Sequence, residues 1–186
     1  METKKGIHTA ARTKALVRCA LGAALICVCA WITIPGPVPF TLQTFAVACV
    51  LGLLGGRAGT VSILCYILLG ALGLPVFSGF SGGIGRLLGA TGGYILGFLG
   101  MGLVYWAAAG RSLRVWRMAA GMIAGLFVCY LFGTIWFVRV YTGTQGPMSY
   151  AAALGLCVWP FLPFDALKLA SALTVSRMLA PRLRQG

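Results

Sequence analysis

Apolar runs at residues 15–34, 42–54, 58–74, 91–109, 118–138 and 163–179 follow one another with nothing between them polar enough to form a soluble domain. Several approach the roughly 20 residues that a helix needs to cross a bilayer, and they are continuously apolar. A membrane β-barrel would instead alternate over segments of about 10 residues. With 60% hydrophobic and 9% charged residues, the chain is expected to be all-α: one polytopic integral membrane domain over residues 1–186 with six transmembrane helices. A basic cytoplasmic tail covers about residues 1–14. The second run is short, which implies local thinning of the bilayer or a start below its surface. A basic segment before an apolar one also describes a signal peptide, but Ile34-Pro35-Gly36-Pro37 offers no convincing cleavage site, so the first run reads as a retained helix.

Six spans put both termini on one side of the membrane. Twelve of the fifteen basic residues collect there, at positions 4–18, 57, 111–117 and 177–184, which makes that side cytoplasmic. The net charge of +13 is therefore a matter of topology and does not point to nucleic acid. Arg86, Arg139 and Lys168 fall towards the outside, where topology does not explain them, and each is a candidate for a functional role.

Of two acidic residues, Glu2 lies in the tail, whereas Asp165 lies between long apolar runs. An ionisable group so placed usually faces a cavity and has a partner. Pro160 and Pro163 cannot both sit inside a regular helix, so the last helix is expected to begin at Pro163, with Asp165 and Lys168 on one face of its first two turns. The helix dipole alone would favour Asp165 there by about 0.3–1 kcal/mol, but it disfavours Lys168 unless an anion compensates. A ligand-binding pair and a structural ion pair both remain open.

The outward side also receives three unusual segments. The proline-rich stretch 34–41 is expected to be an ordered, extended loop. Residues 75–90 are rich in glycine yet carry Phe77, Phe80, Leu87 and Leu88, and are expected to fold back as a lid or pocket wall. The third is the start of the last helix. Together they offer Thr41, Gln43, Arg86, Tyr94, Asp165 and Lys168 among Trp31, Phe40, Phe77, Phe80, Trp159, Phe161 and Phe164. Aromatic walls with a few placed polar groups suit a small amphipathic ligand bearing an anionic group. Asp165 and Lys168 cancel in charge, which leaves Arg86 to hold a carboxylate.

Other chemistry is poorly supplied. The seven cysteines form no Cys-x-x-Cys pair and read as small apolar packing residues, and His8 lies in the tail, so neither a metal site nor a disulfide is expected. None of the four lysines follows a glycine, which excludes a P-loop ATPase. No nucleophile and base cluster together, so an enzyme is not in view, and no cofactor is expected. In the first run, Ala20 and Ala24 make a flat stripe for another helix, or for internal packing.

Four stretches carry a resemblance: Ile34-Pro35-Gly36-Pro37-Val38-Pro39-Phe40-Thr41-Leu42-Gln43-Thr44-Phe45-Ala46, Leu69-Gly70-Ala71-Leu72-Gly73-Leu74-Pro75-Val76-Phe77, Thr91-Gly92-Gly93-Tyr94-Ile95-Leu96-Gly97-Phe98, and Pro160-Phe161-Leu162-Pro163-Phe164-Asp165-Ala166-Leu167-Lys168. In this order and spacing the chain closely resembles the BioY family, the biotin-binding S components of energy-coupling-factor (ECF) transporters. The resemblance implies a six-helix protein that captures biotin at the extracellular side with very high affinity. A transmembrane coupling protein and two cytoplasmic ATPase subunits would then drive uptake. It further implies that Asp165 and Lys168 contact the biotin head group, that Arg86 meets the ligand's carboxylate, and that Ala20 and Ala24 dock the coupling protein. Gly89-Ala90-Thr91-Gly92-Gly93 departs from the Gly-Pro-Thr-Gly-Gly of many relatives, and Phe164 stands where glycine is common. A rival reading is a secondary transporter of a small carboxylate in which Asp165 carries a coupling proton. Lys168 argues against it, since a neighbouring cation favours the ionised carboxylate, and no inverted repeat is visible.

Overall fold

The computed structural model describes residues 2–36 and 38–185, and the side chains of 12–36 and 38–183. The side chains of Glu2, Lys4, Lys5, His8 and Arg184, and Pro37 of the first loop, lie outside the described residues. The elements are α1 (Glu2–Trp31), β1 (Thr33–Ile34), β2 (Phe40–Thr41), α2 (Gln43–Leu54), α3 (Gly56–Ala71), α4 (Ile84–Leu88), α5 (Gly92–Ala108), α6 (Val115–Gln145), α7 (Tyr150–Cys157) and α8 (Leu162–Gln185). Each of the six apolar runs carries one long helix: α1, α2, α3, α5, α6 and α8. The backbone of the basic tail is the start of α1.

By length and composition, Arg12–Trp31 and Val115–Gln145 can cross a membrane, and the pair Tyr150–Cys157 and Leu162–Leu183 can do so as one span bent by 51°. The helices α2, α3 and α5 are apolar but shorter, at 12, 16 and 17 residues. Length is redistributed relative to the runs read from sequence. Nothing between residues 139 and 145 breaks the helical hydrogen bonding, so α6 continues to Gln145 and ends where Gly146 takes φ 111° ahead of Pro147.

Two kinds of contact position the site. Along the α5–α6 interface, Gly93 and Gly97 face Trp136 and Cys129, while Gly125 and Gly133 face Met101 and the Tyr94 ring, so the two backbones approach closely. A Cβ at Gly133 would overlap the Tyr94 ring. The helix α2 lies along α8 and is buried from Ala46 to Leu51.

Both loops carry local structure among the described residues. Thr33 pairs with Thr41 and Ile34 with Phe40 in a two-stranded hairpin. In the glycine-rich segment Phe77 bridges to Ser81, and its ring is fully buried over Gly70 and edge-on to Tyr66, which anchors the loop to α3. A solvated linker would have no use for that ring. Between α7 and α8 the chain turns at Pro160. The helix α8 then starts at Leu162, one residue before the expected position, and Pro163 sits in its first turn, where a missing N–H costs nothing.

Candidate ligand-binding site

A cavity opens between the hairpin, the glycine-rich segment, the starts of α2, α5 and α8, the end of α7 and the middle of α6. It is lined by Val38, Pro39, Thr41, Gln43, Thr44, Ser78, Thr91, Tyr94, Ile95, Phe98, Leu126, Cys129, Tyr130, Cys157, Phe161, Asp165 and Lys168. Five of the six polar residues expected from sequence (Thr41, Gln43, Tyr94, Asp165 and Lys168) therefore meet in one place.

At its centre is the ion pair. Lys168 Nζ stands 2.8 Å from Asp165 Oδ1, with the two residues 8% and 3% exposed. The ammonium also donates to the Thr41 carbonyl at 2.7 Å and lies 4.1 Å from the centre of the Phe40 ring. The other carboxylate oxygen, Oδ2, accepts from Tyr130 Oη at 2.5 Å. A buried pair that lacked these extra bonds would not offset the desolvation of two charges. The pair is nevertheless not saturated, because an ammonium has three hydrogens and a carboxylate about four lone-pair sites. One donor and some acceptor capacity remain on groups that line the cavity.

Tyr130 is absent from the sequence reading. Its signal was a phenol inside a continuous apolar run, but Tyr66 and Tyr105 give the same signal and belong to the core. The remaining polar groups are fixed in pairs. Thr41 Oγ1 donates to Gln43 Oε1 at 3.1 Å, Gln43 Nε2 donates to Tyr66 Oη at 2.5 Å, and Tyr94 Oη bonds Thr134 Oγ1 at 3.0 Å. These side chains are held in place before any ligand arrives.

Other groups stand further from the cavity. Arg86, on α4, is not among the lining residues, but its guanidinium donates to Ser78 Oγ at 3.4 Å, and Ser78 lines the cavity. The Arg86 Nε is buried without a hydrogen-bond partner among the described residues. Most of the expected aromatic wall lies elsewhere: Phe77 is core, Trp31 stacks on Phe80 at 5.2 Å, and Trp159 is exposed. Phe161 does line the cavity, backed by Phe40 at 5.6 Å, and the other walls are Tyr94, Phe98 and Tyr130. Arg139 is exposed on α6 and is not among the residues lining the cavity.

Beyond the cavity, Ala20 and Ala24 are exposed on α1, whereas Gly22 and Ala23 are buried, Gly22 against Ser62 and Val50. No three potential ligands among His, Cys, Asp and Glu gather in a metal-binding group among the described residues.

A model of the BioY family matches residues 1–185. The biotin transporter BioY of Thermotoga maritima is 40% identical over 172 residues, covering 91% of this chain and 95% of its own length. The probable biotin transporter BioY of Pyrococcus horikoshii is 42% identical over 144 residues, 77% of this chain and 82% of that protein. In three dimensions the fold is similar to a crystal structure of the S-component for biotin from an ECF-type ABC transporter, with a TM-score of 0.79 and 26% identity over 95% of this chain and 94% of the other. Family match, sequence and fold agree over nearly the whole length, and the chain belongs to the BioY family.

Proposed function

We propose that this chain is the high-affinity biotin-binding membrane subunit of an ECF transporter and mediates biotin uptake driven by ATP hydrolysis in partner subunits. The observation that carries the reading is the buried Asp165–Lys168 pair, with spare hydrogen-bonding capacity, in a cavity of a BioY-family chain. The ureido ring of biotin presents two N–H donors and one carbonyl. Asp165 accepts from an N–H and Lys168 donates to the carbonyl. Tyr130 orients the carboxylate, while Thr41, Gln43 and Tyr94 border the ring. Arg86, beside Ser78 at the cavity, takes the valerate carboxylate.

In this reading α1, α2, α3, α5, α6 and α8 cross the cell membrane as one domain surrounded by lipid. Both termini are cytoplasmic, and the hairpin and glycine-rich loop lie outside. The partners are a transmembrane coupling protein, docked on Ala20 and Ala24, and two cytoplasmic ATPase subunits. In this reading the chain has no enzymatic role of its own, and no metal-binding group forms among the described residues. Calorimetric titration of the purified protein with biotin and desthiobiotin tests the binding claim, and absence of heat with biotin would reject it. Uptake that requires the ATPase partners and moves no protons would separate this reading from proton-coupled transport.

A further inference from the structure

Of the residues in the glycine-rich segment 75–90, Ser78 alone lines the cavity, and it is 8% exposed. Its main chain is clamped on both sides. Phe77 is buried over Gly70, the Phe77 N–H donates to the Ser81 carbonyl at 2.9 Å, and Ser81 Oγ donates to the Ser78 carbonyl at 2.8 Å. A hydroxyl held this way is in place before a ligand arrives.

The direction of its hydrogen bond follows from the donor. Arg86 Nη2 lies 3.4 Å from Ser78 Oγ, and a guanidinium can only donate, so the hydroxyl oxygen accepts and its own hydrogen points elsewhere. No acceptor among the described residues takes that hydrogen. A bond received from a cation also polarises the O–H and makes it a stronger donor in turn. Behind it, the charge of Arg86 meets no carboxylate: the one ion pair among the described residues joins Asp165 to Lys168, and Arg86 Nε is buried without a hydrogen-bond partner. Ser78 thus presents to the cavity a polarised O–H backed by an unbalanced cation, and both features favour an anionic acceptor. We propose that Ser78 is a specificity-determining residue: its hydroxyl donates to the ligand's carboxylate at the cavity wall, and Arg86 supplies the charge from behind it. The inference rests on the reading of the chain as a biotin-binding subunit and assigns the contact that distinguishes the free acid from its neutral derivatives.

Titration calorimetry of the full chain with biotin and biotin amide tests this. Ser78→Ala should weaken biotin about tenfold and biotin amide about threefold, because a hydrogen bond to a charged group is stronger than one to a neutral carbonyl. Ser78→Thr keeps a hydroxyl and should keep the preference for the acid, which a loss caused by a disturbed loop would not do. In a double-variant cycle, Ser78→Ala and Arg86→Ala together should lose less than the product of the two separate losses, since both act on one carboxylate. Equal losses for the two ligands in Ser78→Ala would overturn the contact and leave Ser78 as support for the loop. Unchanged biotin affinity in that variant would overturn it as well. Failure of the unaltered protein to bind biotin would reject the underlying reading and this inference with it, whereas the two preceding outcomes, with biotin bound by the unaltered protein, reject the inference alone.

Discussion

Tyr130 and Asp165, on α6 and α8 and 35 residues apart, are joined by a 2.5 Å hydrogen bond that occupies the carboxylate oxygen Lys168 leaves open. The phenol thus fixes the plane of the carboxylate. Tyr130→Phe should lower biotin affinity by about tenfold, the scale of one hydrogen bond to a charged group. Titration calorimetry would show it. Unchanged affinity with a lower Tm would confine Tyr130 to holding the fold.

The ion pair gives a sharper expectation. Asp165→Asn keeps the shape and should still cost roughly tenfold or more in biotin affinity, because a charge-assisted bond is lost and Lys168 is stranded. Lys168→Ala should do likewise, and the double variant should lose less than the sum of the two. Two single variants that bind biotin normally yet unfold more readily in detergent would mean that the pair is structural.

Arg86→Ala should weaken biotin much more than biotin amide, since only the acid offers a full negative charge to the guanidinium. Comparing the two ligands by competition separates charge recognition from loop support. Equal losses would assign Arg86 to holding Ser78 and the α4 segment in place.

Because Ala20 and Ala24 are exposed on α1 while Gly22 and Ala23 are buried, Ala20→Trp and Ala24→Trp should leave biotin binding by the isolated subunit intact. Co-purification with the coupling protein should fail. A collapse of ligand affinity would show instead that the stripe packs internally.

The sequence made Asp165 and Lys168 legible because charge inside apolar runs is costly and therefore rare. Thr41, Gln43 and Tyr94 were legible because they stand just before or within the first turns of α2 and α5. Tyr130 was not, since a phenol serves equally well as core filler, and only the register of α6 against α8 sets it beside the carboxylate. The aromatic wall failed for a similar reason: composition counts the rings in a loop, but Phe77 turned inward over Gly70 and Phe80 outward onto Trp31. The long helices were legible as apolar runs, whereas α7 and the last two turns of α6 depend on where helical hydrogen bonding stops.

Lys168 also donates to the main-chain carbonyl of Thr41, 127 residues earlier, so a group of the cavity doubles as the fastening of the hairpin's second strand. A guest that captured that hydrogen would unfasten the strand, whereas one that used the ammonium's third hydrogen would leave it closed. In the first case occupancy and hairpin position are one linked equilibrium: whatever the guest does to the strand, displacement of the strand must do in equal measure to the guest's affinity. Because the acceptor is backbone, the coupling survives replacement of the Thr41 side chain.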